Sequence, residues 1–163
     1  HTAWVRAKSS GDYVKPWPWS DTWPLARLSI PHLQLEEIVL AHTNKNISNF
    51  ALFHLNSSVF PGELGNTVLS AHRESYFQFI NSLKPGDLLV LESLRSGRWR
   101  YQVSAIYVVD KTNTQLLKPS LNRRITLVTC YSCQEKEANL RYVVIADEVE
   151  RINSTTAHSS MLF

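Results

Sequence analysis

The stretch Arg98-Trp99-Arg100-Tyr101-Gln102-Val103-Ser104-Ala105-Ile106-Tyr107-Val108-Val109 decides the fold class. Trp99, Tyr101, Val103, Ala105, Tyr107 and Val109 fall on one face, and Arg100, Gln102 and Ser104 on the other. A period of two marks a β-strand with one buried face, because successive side chains leave opposite sides of the pleat. Ser96-Gly97 just before it, and the apolar run at 88–91 before that, complete a hairpin. Working outward, the same kind of signal predicts strands over 26–30, 37–41, 49–55 and 66–71 upstream, and over 125–130 and 141–149 downstream. Phe60-Pro61-Gly62-Glu63 and Lys84-Pro85-Gly86-Asp87 carry proline and glycine at the two central positions of a turn. One helix is predicted after residue 75. Ser75 and Gln78 form a capping box, Tyr76, Phe79, Ile80 and Leu83 make an apolar stripe, and Pro85 stops it. About eight short strands around a single helix indicate a mainly β fold, a closed barrel or a sandwich.

The length of 163 residues suits one domain. Apolar residues make up 44% and charged residues 19%, enough to pack a core and to exclude global disorder. The net charge of +3 comes without a dense Lys/Arg run, so no nucleic-acid partner is expected. The segment Lys15-Pro16-Trp17-Pro18-Trp19-Ser20-Asp21-Thr22-Trp23-Pro24 is too rich in proline for helix or central strand. Its tryptophans are expected to lie as a strap against the barrel, with a peptide-binding platform as the alternative. The organisation predicted is an N-terminal segment and strap at 1–24, a barrel at 25–152 and a flexible tail at 153–163. The sequence begins at His1 with Met161 as its single methionine, and is expected to come from a longer product. No run approaches the roughly 20 apolar residues of a membrane span.

The two cysteines, Cys130 and Cys133, do not form a disulfide framework. A zinc site needs about four ligands, and the six histidines show no i, i+4 pair, so no metal site is expected. Taken singly, the reactive side chains have bland readings. Cys130, at the end of a strand, could be a buried small hydrophobe. His72, after the strand at 66–71, could be surface decoration, and Arg141 could be a strand-end charge leaving for water.

Together they resemble the sortase family. Thr126-Leu127-Val128-Thr129-Cys130 is similar to the TLxTC signature of sortases. Arg141, eleven positions on, opens an Arg-Tyr-Val-Val strand as the sortase arginine does. His72-Arg73, with the histidine fifty-eight positions before the cysteine, resembles the histidine–arginine pair that follows a G-N-x-x-L strand, here Gly65-Asn66-Thr67-Val68-Leu69. The strap resembles the proteobacterial branch called class GN. Two departures stand out: Ala71 replaces the glycine usual before the histidine, and Cys133 lies three residues after Cys130.

The resemblance implies a closed eight-stranded β-barrel with one or two short helices. It implies a cysteine transpeptidase that cleaves an LPxTG-like C-terminal sorting signal through a thioester and passes the acyl group to an amine. Cys130 would be the nucleophile, His72 its proton-transfer partner and Arg141 the oxyanion-stabilising cation, with Thr129 in support. Cys133 is a possible redox partner of Cys130. A monomer without cofactors is expected, in the cell envelope, anchored in the inner membrane by a preceding segment and facing the periplasm. Sortases that use calcium hold it with acidic residues before the nucleophile strand. Here residues 110–124 offer Asp110 against Lys111, Lys118, Arg123 and Arg124, so no calcium requirement is expected. The alternatives are a hydrolytic cysteine peptidase on the same scaffold, a periplasmic C-x-x-C redox protein and a barrel that binds peptides without catalysis.

Overall fold

A computed structural model describes residues 24–41, 52–71, 80–130 and 140–152. Eight strands run through them: β1 (Pro24–Ile30), β2 (Leu35–Ala41), β3 (Leu52–His54), β4 (Asn66–Ala71), β5 (Leu88–Ser93), β6 (Gly97–Asp110), β7 (Arg124–Cys130) and β8 (Leu140–Ile152). They close into a barrel in the order β1-β2-β3-β4-β7-β8-β6-β5. Two pairs, β2–β3 and β4–β7, are parallel, and the other neighbours are antiparallel. Short 3-10 turns at Pro31–Leu33 and Gln115–Leu117 complete the described elements. The strap up to residue 23, the tail, the capping box at Ser75 and Gln78, His72 and Cys133 lie outside the described residues, while Pro24, counted with the strap, opens β1.

The barrel is filled by alternate side chains. Leu28, Leu52, Leu69, Leu89, Leu91, Tyr101, Ile125, Leu127 and Val144 all stand at 0% exposure in one interior cluster. Each large apolar side chain so buried contributes about 1.5–3 kcal/mol. Ile80 and Leu83, from the predicted helical stripe, join that cluster at 0% and 1%. Both predicted turns form, with Glu63 N–H donating to Phe60 O at 3.0 Å and Asp87 N–H to Lys84 O at 3.0 Å. Gly62 carries φ +87°, and a Cβ there would meet the Cβ atoms of Ser93 and Ser96 at 3.1 Å, so only glycine fits this turn.

The alternation along β6 does not hold to its end. Val103 pairs with Ala146 but Ala105 with Ile145, so Ser104 is an extra residue, a β-bulge. Its hydroxyl donates to Asp147 Oδ2 at 2.8 Å. A bulge moves the following side chains to the other face. Ile106, opposite Val144, therefore packs against the interior, and Tyr107, expected inside, is 46% exposed. The predicted strand at 49–55 is shorter in the described residues, at Leu52–His54.

Past β3, the chain folds over a buried histidine. His54 is 6% exposed, and its Nε2 lies 2.8 Å from Val59 O, which can only accept, so Nε2 carries the proton. Ser58 Oγ donates to Leu55 O at 2.7 Å and receives Val68 N–H at 3.0 Å. Burial holds the His54 pKa below its ordinary 6.5, against the smaller upward pull of its contacts to Val59 and Ser58.

Candidate active site

Parallel pairing makes β4 and β7 finish at the same end of the barrel, and antiparallel pairing makes β8 begin there. The register is specific. Ala71 pairs with Thr129, Thr129 with Tyr142, and Cys130 with Arg141. Residues directly opposite in an antiparallel ladder have Cα atoms about 4.5–5.5 Å apart and share a face. Two of the three residues singled out by the sequence, Cys130 and Arg141, are thus placed side by side. The third, His72, lies outside the described residues and follows Ala71 by one peptide bond.

Arg141 is half-buried, and its Nη1–H donates to Leu140 O at 3.1 Å. Across the β6–β8 ladder it faces Val109, next to Asp110. The Asp110 carboxylate accepts the Thr112 N–H at 2.9 Å and hydroxyl at 2.7 Å. Those two bonds are the main reason its pKa lies below the usual carboxylate range, with Lys111 and Arg141 adding smaller pulls. Thr129 is 2% exposed and shares the interior parity of Leu127 and Ile125.

Sequence reasoning missed a strip of residues. Stepping back by two from positions 130 and 141 gives Val128 with Val143, then Thr126 with Ile145. The parallel ladder adds Ser70 beside Val128 and Val68 beside Thr126. These six occupy the face opposite the interior cluster, the face that positions 130 and 141 also hold. Val68, Thr126, Val143 and Ile145 are at most 4% exposed. The signal was available: the alternation that places the reactive positions also names their neighbours at ±2 and ±4.

At the far end of this strip stands Asn66, 2% exposed, whose carboxamide oxygen accepts the Thr126 hydroxyl at 2.6 Å. Its nitrogen donates to Leu116 O at 3.1 Å and Lys118 O at 3.0 Å. Beyond it the barrel is closed by charge pairing. Arg124 meets Asp147 at 2.7 Å, Arg123 is bonded to Glu148, and the Arg123 guanidinium lies 3.5 Å over the Trp99 ring.

Comparison with known proteins agrees with this geometry. The model of the sortase domain matches residues 28–149. Sortase D of Bacillus subtilis (strain 168) is 29% identical over 124 residues, 75% of this chain and 62% of that protein. Among solved structures, sortase A from Corynebacterium diphtheriae superposes with a TM-score of 0.68 at 25% identity, over 81% of this chain and 63% of that one. Sortase C from Clostridium perfringens SM101 does so with a TM-score of 0.66 at 28% identity, over 78% and 70%. The chain thus spans less than two thirds of the B. subtilis and C. diphtheriae proteins it matches. With a family model covering the barrel from β1 to β8, and a strand order and register that bring the signature cysteine and arginine together, the chain belongs to the sortase family.

Proposed function

We propose that this protein is a cysteine transpeptidase that cuts an LPxTG-like sorting signal and joins the freed acyl group to an amine. The observation that carries the reading is the pairing of Cys130 with Arg141, one register step from the pairing of Thr129 with Ala71. Chain connectivity keeps the Cα of His72 about 3.8 Å from that of Ala71.

The chemistry follows from the residue types. A free thiol has a pKa of about 8.5 and only its thiolate is nucleophilic. Cys130 attacks the carbonyl after the threonine of the signal, and the carbonyl electrons move onto oxygen. A guanidinium keeps its charge at any working pH, so Arg141 stabilises that oxyanion throughout. Collapse breaks the C–N bond. His72 gives a proton to the departing amine, leaving a thioester on Cys130. An incoming amine then attacks the thioester, returns its proton to His72 and releases the thiolate. Thr129, buried beneath the strand end, supports the position of Cys130. Val68, Val143 and Ile145, buried on the same face, pack behind the reactive pair and hold the two strand ends rigid.

The protein is placed in the cell envelope, in an inner membrane facing the periplasm, as a monomer. The envelope placement rests on the family resemblance, and its inner-membrane, periplasm-facing form on the likeness of the Trp/Pro-rich strap to class GN. Among the described residues no helix is long and apolar enough to cross a membrane. Incubation with a panel of LPxTG-like peptides, with and without diglycine or other amines, tests the reading by product mass. Transfer products that appear only with amine support transpeptidation. Hydrolysis products alone, at every amine concentration, would assign a peptidase instead.

A further inference from the structure

β6 outruns its partner on one side. β5 follows it only as far as Leu88 opposite Gln102, and the turn before β5 adds two last bonds, Gly86 N–H to Val103 O and Val103 N–H to Asp87 O, each at 2.8 Å. On the other side β8 stays paired to the end, with Asp110 opposite Leu140. From Ser104 onward β6 is therefore an edge strand. Among the described residues nothing bonds to the backbone of residues 105–109 from the open side.

This edge lacks the usual protection. Ala105, Ile106, Tyr107, Val108 and Val109 include no charge and no proline, the two devices that commonly blunt a free edge. Isoleucine, tyrosine and valine favour the pleated backbone. Tyr107 and Val108, on opposite faces, are 46% and 48% exposed, so the strand is open on both sides. A row of unpaired N–H and C=O groups between apolar side chains fits one kind of ligand, an extended polypeptide that adds as a further strand.

Which polypeptide follows from where the edge lies. Val109 pairs with Arg141 and Arg141 with Cys130, so the edge ends two strands from the reactive cysteine, at the same end of the barrel. Tyr107 and Val109 share the face of Arg141 and Cys130, whereas Val68, Thr126, Val143 and Ile145 close that face behind the reactive pair. An added strand would lie three strand spacings from β7, about 14 Å. A lysine of that strand, its four-carbon stem extended over Arg141, reaches across the gap to the thioester arm of Cys130 at an attack distance of about 3–3.5 Å.

We infer that the free edge of β6 is the docking site of the acceptor: an extended segment of the polypeptide that supplies the amine adds beside residues 105–109 and presents a lysine to the thioester on Cys130. This rests on the transpeptidation proposed above. The neutral lysine amine forms the C–N bond and gives its proton to His72, while the C–S bond breaks and frees the Cys130 thiolate. Main-chain bonds supply the affinity, so the site favours extended segments over small amines.

Two acceptor peptides test this. One is a heptapeptide of alternating threonine and valine ending in lysine. Its control has proline at alternate positions, which removes N–H donors. With an LPxTG-like peptide as acyl donor, the first should show a KM about tenfold below those of the control and of diglycine. Val108→Lys puts a charge on the edge, and KM for the first peptide should rise about tenfold, with acylation and transfer to diglycine within twofold of wild type. Should that variant fail to fold, hydrogen exchange in Cys130→Ala serves without turnover: the heptapeptide should slow alternate amides among residues 105–109, and the control should not. Equal KM for heptapeptide and control, or exchange unchanged by the heptapeptide, overturns the docking site alone. So does protection of the same amides that grows with protein concentration in the absence of peptide, since the edge then holds a second copy of the chain. A wild type that no LPxTG-like peptide acylates overturns the transpeptidation and with it the acceptor role.

Discussion

Cys130 and Arg141 stand directly opposite each other in the β7–β8 ladder, the last pair of a seven-residue register that begins at Arg124 and Asp147. Their proximity is therefore set by seven consecutive strand pairings and not by a loop. Leu127 and Val144, fully buried in the middle of the same ladder, lock it against slippage, since a one-residue shift would turn both out of the interior. The consequence for Arg141 can be measured. Arg141→Lys keeps a cation but loses the planar fork of donors. Turnover should fall by about 10²-fold or more, with a melting temperature close to that of wild type. Turnover within a few-fold of wild type would remove the oxyanion role.

Tyr101 sits at 0% exposure in the barrel with no hydrogen-bond partner for its hydroxyl among the described residues. Burial drives its pKa well above the phenol range. Leaving a polar group unpaired costs about 1–3 kcal/mol. Tyr101→Phe removes the group and keeps the ring, so thermal unfolding should move up or stay level. A clear drop in melting temperature would mean that the hydroxyl is bonded in solution.

His54 makes stability depend on pH. Its folded pKa is pulled below 6.5, so the unfolded chain takes up a proton first. Stability is then full above about pH 6.5 and declines as the pH falls below it. His54→Gln can present an N–H to Val59 O without titrating, and should flatten that decline in denaturant melts between pH 7.5 and 5. An equally steep decline in the variant would assign it to other groups.

Divalent cations should not matter to the rate. On the β6–β7 connection and the start of β7, Arg123 and Arg124 are already paired with Glu148 and Asp147, and Asp110 is engaged by Thr112. Peptide cleavage with 5 mM calcium and with excess chelator should agree within about twofold, since a calcium site needs six to eight oxygens. A calcium-dependent rise reversed by chelator would contradict this.

Much of the barrel was legible in the sequence because local chemistry and global fold agree there. Pro61-Gly62 and Pro85-Gly86 dictate turns that form where expected. Asn66–Ala71 forms over the bounds its apolar pattern gave, and β7 extends its predicted run by one residue. The bulge at Ser104 was not legible, since an extra residue in one strand is defined only against its partner, and it reversed the expected face of Tyr107. The reactive cysteine and arginine were legible as a motif, but their direct pairing is a property of register. The hydrogen bonds from Asn66 to Leu116 and Lys118 join segments fifty positions apart, beyond any local pattern. His72, Cys133 and the strap, all named from the sequence, fall outside the described residues.

The central claim is that the sulfur of Cys130 carries the acyl group in transit. Acid-quenching the protein with an LPxTG-like peptide during turnover, then measuring intact mass and mapping the adduct, tests it most directly. A thioester confined to Cys130, absent in Cys130→Ala and discharged on adding amine, is the predicted result. Cleavage that persists in Cys130→Ala, or an acyl group found on Cys133 or any other residue, would contradict it.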